Sequence, residues 1–447
     1  MASTGVPTVE TGLVRFGRRI ALAALVLCAL GGSGVVIKSL LVPYEKDFRA
    51  DYLAAAATLN GVNPYTPLPE LAKAFLPGQS LADLPHPTPH PVAIGWLALP
   101  LTALSYERAA MVWFLLELGC LAVSVVLFLR ILGIAPKPWH ALAITFLLIG
   151  WWPVALELRW AQVSMFLLAM FLGAWLQLRR GKDISAGLLL GGLGFLKLAG
   201  WPIILWLIFM RRWRAVWAAV LFLAAGHLLA MQVYGWKVIL DYYLKVGPQV
   251  TAFYSGWEVN FSAWTVGRRL FAQSGEVFQS IPLWNSPMLA AITTVAVPVL
   301  ILITAVRAAL RAKRLDTSFA LLMAVGILLN PVTWQHYLIM AAPAFVLLVI
   351  RLRQLGWPRA MTVSTAALLM AVSVPYGIYR TLALRFAVGS TAAGKPIVHA
   401  MPALLTVTTG LALCSLLWLL VRLEKTPEYE PVTAAEPADA RISPAHI

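Results

Sequence analysis

Arg19-Ile-Ala-Leu-Ala-Ala-Leu-Val-Leu-Cys-Ala-Leu-Gly-Gly-Ser-Gly-Val-Val-Ile-Lys-Ser-Leu-Leu-Val42 runs through Pro43 into Tyr44-Glu-Lys-Asp-Phe-Arg-Ala-Asp-Tyr52, and this junction decides the fold. The first part is long and apolar enough to cross a hydrocarbon core of about 30 Å as a helix. Arg15, Arg18 and Arg19 precede it, and no small-residue cleavage site follows, so residues 19–42 read as a retained first span with a basic cytoplasmic end at 1–18. The second part is polar. Asp47 and Asp51 lie four apart where the continuation Ala54 to Leu59 reads as a short helix, so both carboxylates share one helix face. They are either solvated charges paired with Lys46 and Arg49, or a catalytic carboxylate with its neighbour at a water–lipid boundary.

Composition extends this reading to the whole chain. Hydrophobic residues make up 60% and charged residues 12% of 447, against roughly 25% charged in soluble domains. Apolar runs recur near 91–105, 108–131, 139–156, 160–178, 184–209, 216–234, 287–307, 316–332, 335–352, 359–378 and 400–422. With 19–42 they give an all-α polytopic membrane protein of about 12 transmembrane helices. The net charge of +16 fits topology signals and lipid headgroups, since Lys and Arg cluster between the runs, and no nucleic-acid partner is expected. Cys28, Cys120 and Cys414 sit inside apolar runs without metal-ligand spacing. Residues 423–447 read as a disordered cytoplasmic tail.

Two outer loops break the series, 43–90 and 235–286, both aromatic and polar, and interfacial helices are expected within them. One segment is ambiguous. Basic clusters Arg179-Arg-Gly-Lys182 and Arg211-Arg-Trp-Arg214 flank 184–209, which holds Lys197 and the Trp201-Pro202 break. The positive-inside rule favours a hairpin of half-helices there. A single broken span is preferred, because twelve spans then return the C-terminus to the cytoplasm.

Candidate chemistry sits at the breaks. Asp47 is positioned to take a proton from a hydroxyl, help that typically supplies ~10²–10⁴-fold. Asn330-Pro-Val-Thr-Trp-Gln-His-Tyr337 packs polar groups between two apolar runs; His336 could donate to a phosphate oxygen, or the segment could be a helix–turn–helix cap with an interfacial aromatic belt. Lys197 is either a snorkelling lysine or a cation for a phosphate entering from lipid. Arg159 with Gln162, and Asn260 with Arg268 and Arg269, are weaker candidates.

Several short patterns together resemble the polyprenol-phosphate-sugar-dependent glycosyltransferases of the GT-C superfamily, most closely glycosyltransferase family 87. They are Asp47-Phe-x-x-x-Tyr52 with Gly61-x-Asn-Pro-Tyr65, the Pro-rich His86–Pro91, Ala161-Gln-Val-Ser164, and Gly187–Lys197 followed by Arg211-Arg-Trp-Arg214. Asn260-x-Ser262 with Arg268, and Asn330-Pro-x-x-Trp-x-His-Tyr337, complete the set. The resemblance implies a GT-C helical bundle at 19–422, roofed by the two outer loops. It matches Asp47 to the family's catalytic aspartate and His336 to a histidine on the donor phosphate. Lys197 and Arg268 are further phosphate-binding candidates, and Asp51, Tyr52, Gln162, Asn260 and Trp334 are candidates for holding substrate. His86 stands where the family often has an aromatic residue, and Asp51 where it often has an uncharged one.

The implied reaction moves a sugar, mannose first among candidates, from a polyprenyl-phosphate donor to a hydroxyl of a lipid-linked or glycan acceptor, with inversion. The implied setting is the extracytoplasmic face of a bacterial plasma membrane. No cofactor, metal or nucleotide sugar is expected, in keeping with the lack of a Gly-rich phosphate loop. The rival class is a transporter or flippase of a lipid-linked precursor, which would show repeat symmetry and mid-membrane ionisable residues. A third is an envelope ligase or scaffold without sugar transfer of its own.

Overall fold

The computed structural model describes residues 12–42, 47–79, 81, 84 and 86–424; the expected disordered tail lies almost wholly outside them, as do residues 1–11 of the basic N-terminal end. The chain begins with α1 (Gly12–Leu40), then α2 (Phe48–Leu59), α3 (Leu68–Phe75) and α4 (Val92–Ala98), the last continuing as a 3-10 turn over Leu99–Ala103. Next come α5 (Tyr106–Ile131), α6 (Pro138–Ile149), α7 (Trp152–Trp160), α8 (Ser164–Arg179), α9 (Asp183–Lys197), α10 (Trp201–Phe209) and α11 (Trp213–Tyr234). The short α12 (Trp236–Asp241), α13 (Gly247–Tyr254) and α14 (Val266–Phe271) occupy the second loop. The remainder is α15 (Pro287–Arg311), α16 (Leu315–Leu329), α17 (Ala342–Gln354), α18 (Arg359–Ser373), α19 (Tyr376–Leu384), α20 (Ala400–Ala403) and α21 (Thr408–Glu424).

Five helical stretches among the described residues are long and apolar enough to cross a membrane, and seven if two bent pairs count as one span each. One pair is α6 with α7, bent 85° beside Pro153; the other is α18 with α19, bent 86° at Pro375. The chain is therefore a helical multi-pass membrane protein. A small sheet adds an element that the apolar pattern does not reveal: β1 (Gln279–Ile281) pairs in parallel with β3 (Pro396–His399), which pairs antiparallel with β2 (Ala387–Ser390).

Polar contacts define two ends of the bundle. At one, Arg179 donates to the Ile131 carbonyl and pairs with Asp316 at 3.2 Å, and Arg212 pairs with Asp183 at 2.9 Å. Thr317 donates to Glu424 and Arg351 to the Leu423 carbonyl at this same end. At the other, Tyr52 donates to the Leu104 carbonyl at 3.0 Å and the Asp47 N–H to the Trp160 carbonyl at 2.9 Å. The 26 residues of α5 separate the two ends by about 39 Å at 1.5 Å per residue.

Two expected spans are corrected by this geometry. Residues 91–105 do not cross. Val92 packs with Tyr65 and Leu104 bonds to Tyr52, so both ends stay on the α2–α3 layer. Pro100 tightens the second half into a 3-10 turn, and the seven- and five-residue pieces reach only about 20 Å together.

The segment 184–209 is a hairpin, not one broken span. A Cβ on Gly187 would lie 2.2 Å from the Ala215 carbonyl oxygen and one on Gly191 2.6 Å from that of Ala219, while Gly226 faces Phe195. The contacts advance together along both helices, so α9 and α11 run parallel. α10 links the end of one to the start of the other and so runs back between them. The Asp183–Arg212 pair closes the base of this hairpin, with both basic clusters at one end.

The helix carrying Asp47 is pinned by aromatics. Phe48, fully buried, stacks on Trp113 at 4.6 Å, and Tyr52 meets Tyr106 edge-on at 5.3 Å. Truncating such a ring typically costs about 3–5 kcal/mol. This packing fixes where α2 begins, and therefore where Asp47 stands.

Candidate active site

Asp47 immediately precedes α2 and leaves the helix N–H groups uncapped by its side chain. Its carboxylate instead accepts a hydrogen bond from the Gln162 side-chain amide. Gln162 is placed by the turn between α7 and α8, where Ala161 takes a left-handed conformation with φ 52° and Glu157 accepts the Ser164 N–H. The other end of the Gln162 amide accepts from Lys197 Nζ at 3.5 Å. Lys197 closes α9 at the hairpin apex, where Leu198 (φ 48°) and Gly200 (φ 83°) turn the chain. Its ammonium lies 4.7 Å from the centre of the Tyr337 ring, within cation–π reach. This lysine does not snorkel outward; it turns toward Gln162.

Asp47, Gln162 and Lys197 line a cavity of about 610 Å³. Around them the wall is polar, with Arg49, His90 and Asn330 also lining it. Farther in it becomes apolar, between Leu167 and Phe171 of α8, Pro202 of α10 and Met323 and Ile327 of α16. Tyr254 and Trp334, edge to face at 5.3 Å, add an aromatic wall. The cavity thus joins a carboxylate, an ammonium and an apolar cleft.

Asp47 is exposed and lines this cavity, with protein packed around it. Desolvation raises its carboxyl above the usual carboxylate range; the Gln162 hydrogen bond and the charges of His90 and Lys197 oppose this, and Asp51 reinforces it. A carboxylate raised this way is, once ionised, a stronger base than one in water.

The other sequence candidates separate into distinct surroundings. Asp51 is buried and accepts from His90 Nδ1 at 2.7 Å, so of the two carboxylates only Asp47 faces the cavity. Tyr52 serves packing and its bond to Leu104. Trp334 lines the cavity, but His336 does not. The His336 ring is 3% exposed, edge-on behind Tyr337 at 4.6 Å, with Nε2 4.0 Å from Glu157 Oε2. Asn260, fully buried, ties two loops together: it accepts from the Ser262 and Thr333 N–H groups and donates to the Tyr254 and Pro331 carbonyls. Arg268 is exposed and donates to Ser255 at 2.7 Å, outside the cavity lining.

The structure also brings in residues that the sequence did not single out for the site. His90 lines the cavity with Asp51 at its back, and Tyr254 lines it with its hydroxyl 2.9 Å from His86 Nε2. The available signal was the second histidine of the Pro-rich motif, which repeats the first at a spacing of four. Among the described residues no three His, Cys, Asp or Glu side chains group closely enough to hold a metal ion.

The family model described as glycosyltransferase family 87 matches residues 89–331, more than half of the chain. No curated protein and no solved structure matches it. The matched region contains His90, Gln162, Lys197, Asn260 and Arg268 and stops short of Asp47 on one side and Trp334 and His336 on the other. With the multi-pass helical architecture, this match establishes that the chain belongs to glycosyltransferase family 87 and is a membrane glycosyltransferase.

Proposed function

We propose that the chain transfers a sugar, mannose first among candidates, from a polyprenyl-phosphate donor to a hydroxyl of a lipid-linked or glycan acceptor, inverting the anomeric carbon. The observation that carries this reading is the shared cavity: the Asp47 carboxylate and Lys197 ammonium, bridged by Gln162, above an apolar cleft between α8, α10 and α16. The prenyl chain lies in the cleft and its phosphate near Lys197. Asp47 takes the proton of the acceptor hydroxyl as its oxygen attacks the anomeric carbon. The carbon–oxygen bond to phosphate breaks and the electron pair leaves on the phosphate oxygen. Phosphate is a good leaving group, so the site needs a cation for developing charge more than a strong acid. His336 then acts from behind Tyr337, shaping the wall, and Arg268 meets substrate only outside the cavity.

Topology supports the same reading. The end that gathers Arg179, Arg212 and Arg351 is the cytoplasmic one by the positive-inside rule. This supports an extracytoplasmic cavity, under loops 43–90 and 235–286, in what we propose is a bacterial plasma membrane.

The test is to incubate the purified protein in detergent with radiolabelled polyprenyl-phosphate-mannose and lipid or glycan acceptors, without nucleotide sugar. Label moving to an acceptor with inverted configuration is expected. Transfer from a nucleotide sugar but from no lipid-linked donor in a panel of sugars refutes the proposal.

A further inference from the structure

Behind Asp47 lies a second carboxylate with a defined partner. Asp51, 2% exposed, and His90, 7% exposed, meet at 2.7 Å between Oδ1 and Nδ1. An ionised carboxylate only accepts, so Nδ1 carries the proton and the ring orientation is set by Asp51. His90 itself lines the large cavity, while Asp51 does not. A carboxylate buried behind a histidine that itself lines a substrate-sized cavity is more than a tie between α2 and the Pro-rich loop. In its doubly protonated form the ring has one N–H for Asp51 and a second for a ligand.

The charge balance of the cavity says which ligand. Asp47 already places a negative group there, and a phosphate adds another. Lys197 borders the cavity from α9 and His90 from the loop before α4, so an anion between them can meet nitrogen donors from two elements. The charge of His90 also reaches Asp47, where it favours the ionised carboxylate.

Resting on the donor reading above, we propose that His90, held in place by Asp51, is an anion-binding group that grips the phosphate of the lipid-borne donor together with Lys197. Asp51 is its positioning residue.

Binding without turnover tests this. Trp201, Trp264 and Trp334 line the cavity, so tryptophan fluorescence can follow titration of the purified full-length protein with a short polyprenyl phosphate and with the neutral polyprenol of equal length. Wild type is expected to prefer the phosphate. His90→Phe should lower that preference about tenfold, the worth of one charge-assisted hydrogen bond. Asp51→Asn, which keeps an acceptor but no charge, should lower it less, and Asp47→Asn should not lower it. A purely structural tie would weaken both ligands alike and leave the ratio unchanged. If His90→Phe does not fold, Asp51→Asn decides. A wild-type ratio in either folded variant overturns the inference. No phosphate preference in wild type overturns the donor reading itself, so the two failures are distinguishable.

Discussion

Replacing Asp47 with Asn removes the proton acceptor while keeping the shape and the Gln162 contact within reach of one amide flip. General-base help is worth about 10²–10⁴-fold, or roughly 3–5 kcal/mol of barrier, and kcat should fall by that factor. Donor KM should not rise, because the variant removes a negative charge from the cavity proposed to hold the donor phosphate. Asp47→Glu, whose carboxylate is one methylene out of place, should fall between the two. The pH profile provides an independent check. Desolvation raises the Asp47 pKa, so activity should increase with pH through a limb above the usual carboxylate range, and that limb should vanish in Asp47→Asn. Linkage has a definite sign as well. A carboxyl whose folded pKa exceeds its unfolded value stabilises the fold at low pH and loses that contribution as pH rises through the folded pKa. The Asn variant should therefore melt no lower than wild type at neutral pH. The assay is single-turnover transfer from radiolabelled donor at saturating acceptor, with melting followed in parallel. An Asn variant with more than about a tenth of wild-type kcat, well below the smallest loss expected of a removed base, refutes the assignment.

Other perturbations probe the framework. Gln162→Leu removes the strongest influence that lowers the Asp47 pKa, so the acid limb of the pH–rate profile should move to higher pH. Gly191→Leu would drive a side chain into the Ala219 carbonyl, 2.6 Å from its Cβ. It should cost more than the roughly 1–3 kcal/mol of ordinary overpacking, whereas Gly31→Leu, with nothing within 4 Å, should leave the melting temperature unchanged. Asn260→Ala strands the buried Thr333 and Ser262 N–H groups at about 1–3 kcal/mol each; Asn260→Asp, which keeps the acceptor, should melt nearer wild type. In a background with Cys28, Cys120 and Cys414 replaced by Ser, Arg180→Cys and Arg214→Cys should react with an impermeant maleimide from the same side. Ala392→Cys, exposed beside the small sheet, should react from the opposite side.

The class of protein was legible because apolar length needs no tertiary context: the 26-residue, mostly apolar run at Tyr106–Ile131 reads as one long helix. Asp47 was legible because a carboxylate beside a first span stands out in so acidic-poor a chain. His90 was not, because the second histidine of a Pro-rich motif gains meaning only when Asp51 is found behind it. His336 looked like a cavity residue because its neighbours Trp334 and Tyr337 are, and only packing shows that its own ring faces Glu157. The strands at 279–281, 387–390 and 396–399 are three or four residues long, too short for alternation to register, and β1 joins β3 from more than a hundred residues away.

The hairpin at 184–209 explains more than a span count. In a single crossing helix Lys197 would sit near mid-membrane, where a lysine costs about 2.5–3.5 kcal/mol even by translocon insertion. At a hairpin apex it reaches the Gln162 amide and the Tyr337 ring instead. The apex requires the left-handed residues Leu198 and Gly200, which no continuous helix tolerates. The two arms are also unequal: 15 residues in α9 against nine in α10, or about 22 Å against 14 Å. The shorter return arm leaves the start of α10 below the apex, and Leu198, Gly200, Trp201 and Pro202 all border the cavity there. One local feature, a lysine followed by a glycine-containing turn and a Trp-Pro helix start, thus supplies both the cation beside Asp47 and one wall of the apolar cleft beneath it. Straightening that turn would remove the two together, which is why a hydropathy count that treats the segment as one span also misplaces the candidate site.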